Sequence, residues 1–269
     1  MKQPYLSRIR IYPIKSLDPI ELQQAKIGIR SLQHDREFAL LAADGHFMNG
    51  KRTGRVNELK AEYDLPNHII HLTPRAGGLS RSFHLLHNQP SLEIYLSDFF
   101  GEPISLVRNE NGQLMDIPGV SSVTVVSEAS LQSLHHNFPD QTLEGLRLRF
   151  RSNIEIEGVG AFWEEELIGE PGIGMRFTIG DVEMIGISPR ARCNVPPRDP
   201  LTGIMDKTFV KKMMKSRESS LPAGSLIPSY GNLYHLTINT YLSENQEGKW
   251  LRVGDPVKII EPVTLAASE

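Results

Sequence analysis

Cys193 is the only cysteine in the chain, and it sits in Ser188-Pro189-Arg190-Ala191-Arg192-Cys193-Asn194. The thiolate, not the thiol, attacks electrophiles and binds soft metals. Its reference pKa of about 8.5 falls when cations stand close. Arg190 and Arg192 supply two such cations. On the residues alone two readings stand: a small buried hydrophobe, or a nucleophilic or metal-binding thiolate. Pro189 and the two charges favour a loop over a core position.

Basic residues form the second group. Lys15-Ser16 and Asp35-Arg36 lie in the N-terminal part of the chain. Leu146–Phe150 alternates apolar and basic residues, which predicts a strand with Arg147, Arg149 and Arg151 on one face. Aligned arginines under a covered face need carboxylates or a bound polyanion, and guanidinium groups suit phosphate.

Other chemistries fit less well. Gly45–Lys51 (GHFMNGK) approaches a phosphate-binding loop, but Arg52 stands where Ser or Thr should hold magnesium, so a hairpin tip is expected. His68-x-x-His71 and His84-x-x-His87 fall in expected strand or loop segments without a third ligand, so they read as scattered surface histidines. One cysteine rules out an intramolecular disulfide, a Cys-x-x-Cys zinc site and a self-contained four-thiolate cluster.

Composition bounds the rest. With 269 residues, 39% hydrophobic, 23% charged and a formal net charge of −3, the chain reads as globular, with a core of one large or two modest domains. The near-neutral balance argues against a general nucleic-acid partner. No segment approaches a membrane span or a signal peptide, so the expectation is a cytoplasmic protein without membrane association.

The elements that must position these residues are mostly strands. Ser7–Tyr12, Glu37–Ala43 running into Asp44-Gly45, and two runs within Glu62–Thr73 broken by Pro66-Asn67-His68 read as β. Ser121–Val126 precedes Ser127, an expected N-cap for a helix over Glu128–Asn137. Met175–Ile179 and Val182–Ile187 flank Gly180-Asp181 as a hairpin, and Asp206 is expected to cap a helix reaching Lys215. Leu236–Ile238 and Val257–Ile260 are closing strands. The turn-rich segment Arg108–Gly119 is the expected boundary between domains 1–108 and 109–269.

Five motifs in order then carry a family resemblance. They are Tyr12-Pro13-Ile14-Lys15-Ser16, Asp35-Arg36, Val126–Leu131, Arg149-Phe150-Arg151-Ser152-Asn153-Ile154, and Arg192-Cys193 followed by Asp199–Asp206. Over almost its whole length the chain resembles MOSC-domain proteins. The resemblance implies a mainly β fold with helices (α+β): a MOSC-type β-barrel with a smaller N-terminal β-rich domain.

It also implies a molybdenum cofactor, with molybdenum held by a pterin dithiolene and by one protein cysteine. Cys193 matches that position. Lys15, Ser16, Arg36, Arg151 and Asn153 fall where relatives contact the pterin and its phosphate, and Arg192 stands beside the ligand. The segment Gly50–Arg55 departs from the family's Thr-x-Arg-x-x-Pro pattern and keeps Arg52 as its candidate.

Three functions follow. One is a molybdenum-dependent oxidoreductase acting on a small-molecule substrate, an N-hydroxylated compound by resemblance. No haem, cluster, flavin or nicotinamide fingerprint is present, so its electrons would come from a separate redox protein. The second is a cofactor or sulfur carrier without its own turnover. The third, a cysteine hydrolase, needs a base near the sulfur, and the nearest later histidine is His235.

Overall fold

The computed structural model describes residues 3–111, 114–115 and 123–265. Fifteen strands and four α-helices follow one another along them. The N-terminal half contains β1 (Tyr5–Ile11), β2 (Ile20–Leu22), β3 (Gln24–Lys26), β4 (Phe38–Ala42), β5 (Leu59–Asp64), β6 (Ile69–Pro74), β7 (Arg81–His84), α1 (Gln89–Phe100) and β8 (Ile104–Arg108). Then come β9 (Thr124–Ser127), α2 (Glu128–Asn137), α3 (Leu143–Phe150), β10 (Ile154–Glu157), β11 (Ile173–Ile179) and β12 (Val182–Ala191). The last are α4 (Phe209–Ser220), β13 (His235–Leu242), β14 (Trp250–Arg252) and β15 (Val257–Thr264).

Eight strands form the main sheet in the order β15-β11-β12-β13-β9-β10-β1-β2. The first strand of the chain therefore pairs with β10, far away in sequence, with Ile9 opposite Ile154. Backbone N–H groups of Leu6 and Val257 donate to the carbonyls of Asp255 and Pro4, so the start of β15 returns to the start of β1 and the sheet curls back on itself. This mixed architecture, mostly one large sheet with helices, matches the fold class expected from the sequence.

Several local expectations hold. Gly180 adopts φ +56° in the β11–β12 hairpin. β5 and β6 pair across the Pro66–His68 turn. Ser127 caps α2 by accepting from the Ser130 amide. The Gly45–Lys51 tip is a turn in which the Ala42 amide donates to His46 O. Ser121 and Ser122 lie outside the described residues, as does much of the Arg108–Gly119 segment.

Two expectations need correction. Leu146–Phe150 is helical: Thr142 caps α3 through the Gly145 amide, so Arg147, Arg149 and Arg151 share no strand face. Asp206 lies before α4 rather than capping it; its carboxylate accepts from the amide and hydroxyl of Thr208, and the helix runs from Phe209 to Ser220.

Three hydrophobic clusters result. One lies along the main sheet (Ile9, Val125, Ile154, Phe177). Another fills the N-terminal strands and α1 (Phe38, Leu40, Ile70, Leu92). The third joins α2, α3 and α4 (Leu131, Leu146, Phe150, Phe209). Lys15 follows Ile14 of the second cluster and Arg151 follows Phe150 of the third, so the basic residues emerge where these cores meet.

Candidate functional site

After β1 the chain turns sharply at Ser16, whose φ is +71°. The Lys15 amide donates to Phe38 O at 2.8 Å, and its buried ammonium lies 4.0 Å from the centre of the Phe47 ring. Arg36, also left-handed at φ +52°, is held by its amide to Tyr12 O. Its guanidinium pairs with Asp35 and donates to Asn153 Oδ1 at 3.1 Å. Arg151 ends α3 at φ +52° and donates from Nη2 to Leu17 O at 2.9 Å. Burial pushes its pKa down. Three lining residues in a backbone region that disfavours side chains mark this as a place where local strain is tolerated for placement.

Asn153 does not line the cavity. It is buried, and it braces the site by accepting from Arg36 and the Thr124 amide while donating to Arg10 O. Its contribution is to aim Arg36.

On the opposite wall β12 carries Arg190, whose Nη1 donates to Asn239 Oδ1 at 2.9 Å. The Arg192 guanidinium turns inward, donating to Leu236 O (2.8 Å), Phe150 O (3.0 Å) and Thr237 Oγ1 (2.6 Å). Burial first, then the charge of Arg190, push its pKa down to about 9, so it remains charged at neutral pH. Arg192 thus works as a strut for the loop that presents Cys193. Thr237, which receives one of these bonds, is β-branched yet adopts φ +72°, a further strained position. Cys193 is exposed, which removes the buried-hydrophobe reading, and its carbonyl accepts from the Tyr234 hydroxyl.

Arg149 forms part of the floor. Its Nη1 donates to Pro196 O (2.8 Å) and Arg198 O (2.6 Å), fixing the segment that follows Cys193. Arg198 in turn donates to Gly50 O at 2.6 Å. Gly54 and Gly203 meet backbone to backbone; a Cβ on Gly203 would lie 2.2 Å from Gly54 O. This contact seats the Asn49–Gly54 tip against the Cys193 loop and brings Asn49 and Lys51 to the cavity. Arg52 goes elsewhere, pairing with Asp44 (2.5 Å) and Glu102 (2.9 Å) outside it.

Together these segments enclose a cavity of about 430 Å³ lined by Lys15, Ser16, Arg36, Arg151, Arg192 and Cys193 among others. Sequence reasoning left Asn49, Lys51, Met115, Ser188 and Asn239 out of the site. Among the described lining residues seven are Lys or Arg and none is Asp or Glu. Such a wall favours a polyanionic occupant, because guanidinium and ammonium groups make charge-assisted hydrogen bonds to phosphate-type oxygens, although Arg36 and Arg149 are also paired with Asp35 and Asp199. No group of three or more His, Cys, Asp or Glu among the described residues is arranged to hold a metal ion. Cys193 could offer one soft sulfur to a metal that arrives with most of its own ligands.

Residues 3–94 match the MOSC N-terminal beta barrel domain and residues 112–258 match the MOSC domain. The chain belongs to the MOSC family. Molybdenum cofactor sulfurase from Homo sapiens is 26% identical over 269 residues, covering 81% of this chain but 29% of that protein. Mitochondrial amidoxime reducing component 2 from Bos taurus is 26% identical over 294 residues, covering 94% of this chain and 82% of its own length. The rat protein of the same description is 33% identical over a shorter stretch, 52% of this chain and 37% of its own. In this MOSC chain Cys193 and the lining cations stand together on the cavity wall. No helix among the described residues is long and apolar enough to cross a membrane.

Proposed function

We propose that this MOSC protein binds the molybdenum cofactor in the basic cavity and is a cytoplasmic oxidoreductase that reduces N-hydroxylated compounds with electrons from a separate redox protein. The observation that carries this reading is the cavity wall: among its described lining residues seven are Lys or Arg, none is Asp or Glu, and one is an exposed thiol. When bound, the cofactor supplies a two-electron redox centre whose metal is already held by sulfur. Cys193 would add a thiolate to it. Lys15, Ser16, Arg36 and Arg151 would hold the pterin and its phosphate, and Arg190 and Arg192 offset negative charge beside the thiolate.

The reaction is R–NHOH + 2e⁻ + 2H⁺ → R–NH2 + H2O: the N–O bond breaks and oxygen leaves as water. Among the described lining residues neither carboxylic acid nor imidazole is present. The ammonium groups of Lys15 and Lys51, which line the cavity, and the solvent would supply the two protons. The redox partner would dock beside the Cys193 loop in a small contact, under about 1,200 Å², as electron-transfer encounters do.

Protein loaded with cofactor should reduce an amidoxime or an N-hydroxylated base when supplied with chemically reduced viologen, and NADPH alone should not drive it. Turnover with NADPH and the purified chain would remove the partner from the account. An absence of turnover with viologen at full molybdenum content would favour the second reading, a cofactor or sulfur carrier, for which the exposure of Cys193 on its loop speaks.

A further inference from the structure

Tyr12 lies wholly buried directly after β1, between the two halves of the basic wall. The Arg36 guanidinium carbon is 4.4 Å from the centre of the Tyr12 ring, and that of Arg151 is 4.1 Å from the same centre. One ring therefore holds two cavity cations that come from distant parts of the chain. Tyr12 is itself anchored: its amide donates to Asp35 Oδ1 at 2.8 Å and its hydroxyl to Ser152 O at 3.3 Å. Two guanidinium groups this close repel one another. The electron-rich ring face attracts both and offsets part of that repulsion, more strongly out of water than in it.

We propose that Tyr12 is a positioning residue that gathers Arg36 and Arg151 into a single receptor for a phosphate or diphosphate group, assembled before any cofactor arrives. This rests on the cavity as an anion site, and it assigns the ring, not the hydroxyl, as the organising group. Neither arginine relies on the ring alone. Arg36 also has Asp35 and Asn153, and Arg151 has Leu17 O, so loss of the ring frees their mutual orientation without unfolding the wall.

Inorganic diphosphate titrated calorimetrically into the full chain, prepared from cells that do not make the cofactor, tests the proposal. Tyr12→Phe should bind within about twofold of wild type, because the π face remains. Tyr12→Leu should bind roughly tenfold or more weakly. Equal binding by Tyr12→Leu and wild type overturns the proposal, as does an equal loss in Tyr12→Phe and Tyr12→Leu, which would place the role on the hydroxyl. Failure of the wild-type chain to bind diphosphate overturns it too. That result leaves the cofactor reading to be judged separately by molybdenum content.

Should Tyr12→Leu not fold, Arg36→Gln, Arg151→Gln and the double variant decide. One shared receptor predicts that the second substitution costs at least fivefold less in the background of the first. Additive losses contradict it.

Discussion

Arg192 donates from Nη1 to the backbone oxygen of Phe150 at 3.0 Å, and its guanidinium lies 5.3 Å from the centre of the Phe150 ring. Through this contact the residue before Cys193 is tied to the residue before Arg151. The thiol and the anion-facing arginine are thereby held at opposite ends of one bridge.

Arg192→Lys should keep the charge but lose the bridge, because a single ammonium cannot serve Leu236 O, Phe150 O and Thr237 Oγ1 together. Stability should fall by about 1–3 kcal/mol, the cost of leaving buried acceptors unmet. Denaturant titration measures it. Wild-type stability in this variant would show that the strut is not needed.

Arg147 and Arg151 should separate stability from binding. Arg147 Nε donates to both oxygens of the buried Glu155 carboxylate, at 3.0 and 2.9 Å. Arg147→Ala leaves that carboxylate to the longer contact with Arg8 Nε at 3.6 Å and should cost about 1–3 kcal/mol of stability. Arg151→Ala should instead weaken phosphate or cofactor binding about ten- to a hundredfold, the worth of one charge-assisted contact. Thermal melts and anion titrations of both variants check the contrast.

A buried acid gives a pH-dependent expectation. Glu164 accepts from the Ser127 amide and the Ser130 hydroxyl, and burial pushes its pKa up despite these donors. A raised pKa means that the fold favours the protonated acid. That contribution is whole below the ordinary carboxylate pKa and is lost as pH rises through the raised value. Glu164→Gln keeps one acceptor oxygen and never ionises. Its stability relative to wild type should therefore increase as pH rises from about 4.5 towards neutrality. Parallel stability curves for the two proteins across this range would contradict the assignment.

Local signals were legible where short-range chemistry decides the structure. Gly180 in its hairpin and Ser127 at its cap need only their neighbours. The alternation of Leu146–Phe150 misled because it satisfies a strand pattern equally well. What selects a helix is tertiary: Glu155 receives Arg147, and the carbonyls of Pro196 and Arg198 receive Arg149. The same limit applies to the site. Cys193 and the N-terminal basic residues stand in recognisable motifs. Lys51 reaches the cavity because Arg198 and the Gly54–Gly203 contact pack the Asn49–Gly54 tip beside the Cys193 loop, and Asn239 because β13 pairs with β12, with Asn239 opposite Ser188. Arg52 shows the converse: a motif-matched residue drawn to the surface by Asp44 and Glu102.

Molybdenum per chain, measured on wild type and Cys193→Ser purified from cells that make the cofactor, tests the central claim most directly. Cys193 is exposed on a loop, so its replacement removes a soft ligand with little loss of packing. Wild type should carry about one molybdenum per chain. Cys193→Ser should fall to background with an unchanged circular dichroism spectrum and melting temperature. Wild type without molybdenum, or a serine variant with as much as wild type, would contradict the account.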